Sequence, residues 1–239
     1  MVLDWLRHGR TLEESGFFRG FTDWHSHLLY GVDDGVRTLE ESLAILGEWE
    51  RLGVKGVWCT PHVMEDVPNT VEVLRQRFGA LQSAYTGPVE LHLGSENMLD
   101  ALFRKRLERD ELLPLSDGLL LVETSVYGSP FDLEKLFRDI QKKGYTPLLA
   151  HPERYRYMEK EDYRRYHGMG VCYQLNLLSL GGFYGGVARE KALELLDRGW
   201  YTVSGTDLHN RVMLAKAGGM KLKKKVLEQL EQLEEQKSF

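Results

Sequence analysis

Short apolar runs alternate along the chain with longer segments of helical spacing. Seven of these runs are rich in β-branched or aromatic residues and are bounded by turn residues, which is typical of strands. They cover residues 21–24, 54–59, 89–93, 119–122, 146–149, 171–175 and 201–203. Each intervening segment is long enough to return the chain to the start of the next strand. The alternation therefore predicts an α/β fold with a parallel sheet.

Two of the predicted helices have clear signals at their ends. Thr38 and Glu41 have the spacing of a capping box, and Gly53 can end the helix that follows. Ser129 and Pro130 predict the N-cap and first residue of another helix. Further helices are predicted over residues 70–85, 99–111, 160–168 and 188–198.

The two ends of the chain predict accessory segments around a single domain that spans residues 1–239. Residues 220–239 predict a helix with one apolar face, formed by Leu222, Val226, Leu230 and Leu233. Because this face is too short for a coiled coil, we expect the helix to pack on the domain, with dimerisation as the alternative. The N-terminal segment is expected to cover one end of the strands through Trp5, Leu6, Phe17 and Phe18.

The composition narrows the class of protein. With 42% hydrophobic and 28% charged residues among 239, the chain has the make-up of a globular protein. A net charge of −5 provides no overall basic field, so nucleic acid is not an expected partner. The apolar runs are too short for a transmembrane segment, and residues 1–20 contain no signal-peptide core, so we expect a cytoplasmic location. Cys59 and Cys172 are expected to remain unpaired.

Residues that commonly bind metal ions follow the predicted strands. They are His25 and His27 after the first strand, Asp34 in the same loop, His62, Glu96, Glu123 and His151 after the next four, and Asp207 and His209 after the seventh. In a parallel α/β barrel the loops after the strands open onto one face, where active sites are assembled. The sequence therefore predicts that these nine side chains meet at one mouth.

The spacing of these residues favours metal binding. His25 and His27 are two residues apart, so on an extended segment both imidazoles point to the same face. Asp207 and His209 repeat this spacing. Mixed imidazole and carboxylate ligands suit divalent Mn, Fe or Zn, and the lack of cysteine argues against a structural zinc site. The expected ions are therefore catalytic, although each residue taken singly could be a helix cap or part of a buried ion pair.

The motifs DWHSHLL, GVDDG, TPH, GSE, VET, AHPER, QLN and GTDLH, in this order, resemble those of the polymerase and histidinol phosphatase (PHP) superfamily. Within it, GVDDG soon after the HxH, AHPERY and the late GTDLHN are similar to the bacterial capsule-type metal-dependent tyrosine-protein phosphatases. The resemblance covers about residues 21–211. It implies a distorted (β/α)7 TIM-like barrel with a trinuclear metal site, usually of manganese, at the C-terminal ends of the strands.

The resemblance also implies a ligand set. The first ion would be held by His25, His27, Glu96 and Asp207. Glu96 would bridge to a second ion, which Glu123 and His151 complete, and the third ion would take Asp34, His62 and His209. Asp33 is expected in a turn or supporting role, although a swap with Asp34 stays open.

The same resemblance assigns roles in binding and catalysis. Arg154 matches the family's phosphate-binding arginine, and its planar fork suits two phosphate oxygens at once. Asp207 and His209 are expected beside it as catalytic residues. A surface role is the alternative for Arg154, and Arg211 is then the next candidate.

One departure from the family concerns the residues after His62. Many relatives have a second histidine or a basic residue there, whereas this chain has Val63 and Met64. The departure leaves the details of substrate binding open, but it does not change the predicted metal ligands.

The implied activity is hydrolysis of phosphotyrosine on a protein, such as a bacterial tyrosine kinase, by a metal-activated hydroxide. Neither cysteine lies in the CxxxxxR phosphate loop of cysteine-dependent tyrosine phosphatases. A histidinol-phosphate or other small-molecule phosphomonoesterase is the first alternative. A non-catalytic PHP module that only binds metal is the second. The oligomeric state is not predicted.

Overall fold

The computed structural model describes residues 9–236, and all seven predicted strands are present in it. Four shorter strands accompany them. In chain order the strands are β1 (Arg10–Thr11), β2 (Thr22–Ser26), β3 (Gly56–Cys59), β4 (His62–Val63), β5 (Glu90–Leu93), β6 (Glu96–Met98), β7 (Leu119–Glu123), β8 (Thr146–Ala150), β9 (Cys172–Asn176), β10 (Tyr201–Gly205) and β11 (Lys221–Leu222).

The parallel strands form two sheets that together make a distorted barrel. One sheet has the order β10-β9-β8-β7-β6-β4 and the other β2-β3-β5. After a break of two residues, β3 continues along the chain as β4, and β5 continues as β6. The pair β3 and β5 lies in the second sheet, whereas the pair β4 and β6 lies in the first. Counting each broken strand once gives seven strand positions, which agrees with the predicted (β/α)7 barrel.

The barrel closes where β10 meets β2. The backbone N–H of Asp207 donates to the carbonyl of His25 at 2.7 Å, and that of His27 donates to the carbonyl of Leu208 at 2.9 Å. Gly205 permits this approach, because a Cβ at that position would lie 2.6 Å from the backbone nitrogen of His25. The closure brings residues from the first and last predicted strands into one site.

Helices connect the strands around the outside of the barrel. They are α1 (Leu12–Ser15), α2 (Leu39–Leu52), α3 (Val71–Ala84), α4 (Phe103–Glu108), α5 (Leu133–Lys142), α6 (Lys160–Gly168), α7 (Leu177–Leu180), α8 (Gly186–Asp197), α9 (Arg211–Gly219) and α10 (Lys224–Glu235). Two short 3-10 turns, Ser116–Gly118 and Pro152–Arg154, precede β7 and follow β8.

The helix-end predictions are partly confirmed. Thr38 caps α2 by accepting from the backbone N–H of Glu41, but the Glu41 carboxylate accepts from Arg37 and not from Thr38, so the reciprocal half of the box is absent. The predicted start of α5 at residues 129–130 is wrong. The helix begins at Leu133, and the preceding Asp132 binds Arg104 at 2.6 Å instead of capping it.

Apolar side chains pack on both surfaces of the barrel wall. Alternate residues of the strands fill the interior with a small cluster that includes Leu119, Leu121, Leu148 and Val203. The other face of the wall packs against the helices in a larger cluster. This alternation is what a barrel requires of each strand.

The terminal segments pack on the barrel. Helix α10 buries Leu227, Leu230 and Leu233 against the domain. The predicted start at residue 220 is wrong, because Leu222 belongs to β11 and the helix begins at Lys224. Phe17 and Phe18 are buried, and Phe18 contacts the rings of Phe21 and Trp49. Trp5 and Leu6 lie outside the described residues.

Cys59 and Cys172 are both unpaired, as predicted. No helix within residues 9–236 combines the length and the apolar character required to cross a bilayer.

Candidate metal centre

The nine predicted ligand residues lie at the C-terminal ends of the parallel strands or in the loops that follow them. His25 lies at the end of β2 with His27 and Asp34 beyond it, His62 and Glu96 begin β4 and β6, Glu123 ends β7, His151 follows β8, and Asp207 and His209 follow β10. The structure brings eight of these side chains together into three adjoining groups, and the ninth, His151, lies beside the second group. The predicted convergence on one mouth is therefore present.

The first group contains His25, His27, Glu96 and Asp207, all buried. The Nε2 atoms of the two histidines are 3.3 Å apart, and each lies 3.2 to 3.5 Å from Oε2 of Glu96 and Oδ1 of Asp207. Ligands of a tetrahedral ion with bonds of about 2.1 Å are separated by about 3.4 Å. The spacing of these four atoms therefore fits one divalent ion.

Hydrogen bonds orient both histidines of this group. Nδ1 of His25 lies 3.0 Å from Oε1 of Gln174, and Nδ1 of His27 lies 2.8 Å from Oδ2 of Asp33. Asp33 also accepts from the backbone N–H of Gly35 at 2.9 Å. These contacts leave both Nε2 atoms facing the group, which is the arrangement expected of metal-binding imidazoles.

The second group contains His62, Glu96 and Glu123. Nδ1 of His62 is 3.0 Å from Oε2 of Glu96 and 3.0 Å from Oε1 of Glu123. These three atoms are buried, yet none makes a hydrogen bond within the described chain. Buried polar atoms are rarely left in this state, and three of them facing one another fit a bound cation.

His151, the residue predicted to complete this group, lies beside it. Its Nε2 is 2.9 Å from Oε1 of Glu96 and 4.0 Å from Oε2 of Glu123. The structure therefore brings His151 to the same pair of carboxylates and adds His62, which was predicted only for the third ion.

The third group contains the three residues that were assigned to the third ion, Asp34, His62 and His209, together with His27. Oδ1 of Asp34 lies 3.6 Å from Nε2 of His62 and 3.5 Å from Nε2 of His209. The Asp34 side chain is 71% exposed, so this group opens to solvent. A hydrogen bond from His209 outweighs partial burial and lowers the pKa of Asp34 to about 2.

Negative charge dominates the site. Five carboxylates lie within 3.6 Å of its imidazoles, namely Asp33, Asp34, Glu96, Glu123 and Asp207. Burial would raise the pKa of Glu96, but His25 and His62 hold it well below its usual value. Burial and the charge of Glu96 raise the pKa of Glu123. Buried carboxylates this close together need nearby cations. The charge of the site and the spacing of its donor atoms therefore both favour bound metal ions.

Arg154 lies at the edge of the first group. Its Nη1 donates to Oδ2 of Asp207 at 2.6 Å, and its guanidinium lies over the ring of Tyr184 at 4.3 Å. Burial would lower the pKa of Arg154, but the charge of Asp207 outweighs this and raises it. The side chain is 24% exposed and can therefore reach a ligand in the mouth. Arg211, the alternative, is exposed in the first turn of α9.

Several supporting residues were not assigned roles from the sequence. Asn176, at the end of β9, donates to Oδ2 of Asp207 at 3.1 Å and to the Tyr184 hydroxyl at 3.2 Å. The buried Glu153 accepts from Ser179 at 2.7 Å and from the backbone N–H of Asn176 at 3.0 Å. The position of the QLN motif at a strand end was the available signal for Asn176.

Two of the predicted ligand residues have an unusual backbone. His151 has φ 35° and Asp207 has φ 52°, both in the left-handed region. Non-glycine residues occur there infrequently, and such residues concentrate at functional sites. In both cases the chain turns sharply as it leaves a strand, which directs the side chain across the mouth.

A parallel barrel with adjoining carboxylate and imidazole groups at its C-terminal mouth defines a metal-dependent enzyme of the PHP type. The family model described as "Capsular polysaccharide synthesis, CpsB/CapC" matches residues 21–232. The chain belongs to this family, which confirms the resemblance seen in its motifs.

Relatives and a solved structure agree with this assignment. The chain is 30% identical over 208 residues to the tyrosine-protein phosphatase CpsB of Streptococcus pneumoniae, covering 79% of this chain and 82% of that protein. It is 28% identical over 195 residues to the tyrosine-protein phosphatase YwqE of Bacillus subtilis, covering 79% and 77%. The crystal structures of YwqE and CpsB, described as "unique metal-dependent tyrosine phosphatases", include a chain that matches with a TM-score of 0.75 and 25% identity, covering 92% of this chain and 88% of that one.

Proposed function

We propose that this chain is a metal-dependent protein-tyrosine phosphatase. The observation that carries the proposal is the set of three adjoining donor groups with the partly exposed side chain of Arg154 beside them. The family relationship supports it, because relatives that match most of this chain are tyrosine-protein phosphatases.

The proposed cofactor is three divalent ions, with manganese favoured over iron or zinc. His25, His27, Glu96 and Asp207 would hold the first, Glu96, Glu123 and His151 the second, and Asp34, His62 and His209 the third. The placement of His62 near both of the last two groups is compatible with this set, because its Nε2 faces Asp34. Asp33 is proposed to orient His27 and not to bind an ion, since its carboxylate is occupied by hydrogen bonds from within the protein.

The bound ions would lower the pKa of a water molecule towards neutrality and offset the charge of the phosphoryl group. Arg154 is proposed to bind two phosphate oxygens, with Tyr184 fixing the plane of its guanidinium. Asp207 and His209, which would bind the first and third ions, are proposed as catalytic residues beside Arg154. A phenolate leaving group needs little help from a general acid, which suits an aryl phosphate ester.

Cysteine chemistry is not part of the proposal. Cys59 is buried, and burial raises the pKa of its thiol, which keeps it protonated. Cys172 lies at the start of β9, at the end of the strand away from the mouth. Neither thiol is placed to attack a phosphate bound at Arg154.

The test is hydrolysis by the purified protein loaded with manganese. We expect release of phosphate from para-nitrophenyl phosphate and from a phosphotyrosine peptide, with lower kcat/KM on histidinol phosphate. Higher kcat/KM on histidinol phosphate would instead support the small-molecule phosphomonoesterase. No hydrolysis of any ester by protein with a full complement of metal would support a non-catalytic metal-binding module.

The cellular substrate and location extend the proposal. A phosphotyrosine protein, such as a bacterial tyrosine kinase, is proposed as substrate, and the cytoplasm as the location. Dephosphorylation of a purified autophosphorylated bacterial tyrosine kinase, followed with an anti-phosphotyrosine antibody, tests the first of these.

A further inference from the structure

Large apolar side chains that are exposed share one face of the barrel. In the part of the chain that the structure describes they are Val73, Tyr127, Phe131, Phe183, Val187 and Val212. Four of them lie in a loop after a strand or in the first turn of the next helix, namely Val73, Tyr127, Phe131 and Val212. Phe183 and Val187 follow the short helix α7, which comes directly after β9. In a parallel barrel these segments surround the mouth, so the exposed apolar surface is concentrated around the metal centre.

Four of these residues flank the loop that carries Arg154. The sheet order β10-β9-β8-β7 places this loop, which follows β8, between the loops after β7 and β9. The loop after β7, residues 124–132, exposes 72% of Tyr127 and all of Phe131. The segment after β9, residues 181–187, exposes 42% of Phe183 and 65% of Val187. We call these two segments the flanking loops.

Contacts join the flanking loops to the arginine loop. On one side, the guanidinium of Arg156 lies 4.9 Å from the ring centre of Tyr127, and its backbone N–H donates to Val126 at 2.9 Å. On the other side, Arg154 lies over Tyr184. The apolar residues are therefore presented from segments that are attached to the proposed phosphate site.

A groove lies between the loop after β7 and the residues that follow β6. It has a volume of about 470 Å³, and Met98, Ser125, Pro130 and Arg104 are among the residues that line it. Met98 and Ser125 each lie two residues beyond a carboxylate of the second metal group, Glu96 and Glu123. The groove therefore lies beside the second metal group, although Glu96 and Glu123 are not among the residues that line it.

We propose that the flanking loops bind the polypeptide on both sides of the phosphotyrosine, through apolar residues of the substrate. This inference rests on the proposed phosphatase function and specifies its substrate class. Contiguous exposed apolar surface on a soluble protein commonly marks a binding site. A small phosphomonoester would contact the ions and Arg154 and would have no group that reaches Phe131 or Phe183.

The dimensions suit an extended peptide. Neighbouring strands are about 4.8 Å apart, so segments that follow β7 and β9 are separated by roughly 10 Å. Three extended residues span about 10 Å. With the phosphotyrosine at Arg154, the residues immediately before and after it therefore reach the two flanking loops.

The experiment compares two phosphotyrosine peptides that differ only in their neighbours, leucine on both sides or serine on both sides. The wild-type protein loaded with manganese should have a kcat/KM about tenfold higher for the leucine peptide. Phe131→Ser together with Phe183→Ser should abolish this preference, while kcat/KM for para-nitrophenyl phosphate stays unchanged. Val73→Ser is the matched control, because Val73 is exposed but lies in α3, away from the arginine loop, and it should alter none of the three rates.

A binding measurement separates this inference from the proposed function. Fluorescence anisotropy of labelled peptides should show the same preference, and the same loss in the double variant, even if no ester is hydrolysed. Equal rates and equal affinities for the two peptides in the wild type would overturn the inference. A double variant that loses activity equally on para-nitrophenyl phosphate would also overturn it, since the loops would then act on the phosphate site. So would a change in oligomeric state of the double variant by light scattering, which would identify the surface as a contact between copies of this chain.

Discussion

Replacing Arg154 with alanine tests the proposed phosphate site separately from the proposed metal ligands. The side chain follows the proposed ligand His151 by three residues, and its guanidinium is held by Asp207 on one edge and Tyr184 on one face. The guanidinium has five N–H groups, so the contact of Nη1 with Asp207 leaves others free to bind phosphate oxygens. Arg154→Ala removes these donors from the mouth.

The expected loss follows from this arrangement. A donor aimed at the charge of a reacting group contributes about 10² to 10³ in rate, which is about 3 to 4 kcal/mol. The Arg154 side chain is 24% exposed and three-quarters shielded from water, so we expect the full range and not the smaller effect of a surface charge. Arg154→Lys should recover only part of the loss, because an ammonium lacks the planar fork.

The assay is kcat/KM on para-nitrophenyl phosphate, with the metal content of each variant measured by mass spectrometry. The metal content should not change, because Oδ2 of Asp207 keeps its hydrogen bond from Asn176 at 3.1 Å. A near-normal kcat/KM in a fully loaded Arg154→Ala protein would refute the assignment and make Arg211 the next candidate. A lowered metal content would show that Arg154 acts by holding Asp207.

Further changes test the metal ions, the ligands, the aromatic support and the fold. Chelation should abolish activity and manganese should restore it better than magnesium, with three ions per chain by metal analysis; a single ion at saturation would contradict the trinuclear proposal. His151→Ala and Asp207→Ala should each keep the wild-type circular dichroism spectrum but lose activity, and more than about a tenth of the rate remaining would contradict a ligand role. Tyr184→Leu should lower kcat/KM about three- to tenfold, Tyr184→Phe much less, and neither should matter once Arg154 is alanine; an equal effect in both backgrounds would exclude support of the arginine. Thr38→Ala should lower the free energy of unfolding by about 1 kcal/mol in denaturant titrations, since it removes the cap of α2, and no change would mean that solvent replaces the cap.

The strands were predictable because each is a short apolar run between turn residues. The breaks within two of these strands could not be predicted from the sequence. β4 and β6 contain two and three residues, and they are separated from β3 and β5 by Pro61 and Gly94, among others. Pieces this short show no periodicity, and they exist as strands because they pair with each other and with β7. Both carry proposed metal ligands.

The site was predictable in its position more than in its internal contacts. Ligand-type residues at strand ends must meet in a parallel barrel, and they do. By contrast, His62 faces two groups because of the rotation of its ring, which no spacing in the sequence determines. Gln174 and Glu153 are polar residues within apolar or charged motifs, and their roles depend on partners more than 20 residues away.

The left-handed backbone at His151 and Asp207 has a thermodynamic consequence. An L-residue in this region costs the folded protein about 1 to 2 kcal/mol relative to glycine. Folding of the barrel already fixes these two turns, so metal binding does not have to shape them. Asp207→Gly would relieve the strain and remove a proposed ligand in one step. At this position, relief of the backbone strain therefore comes with a loss of proposed metal affinity.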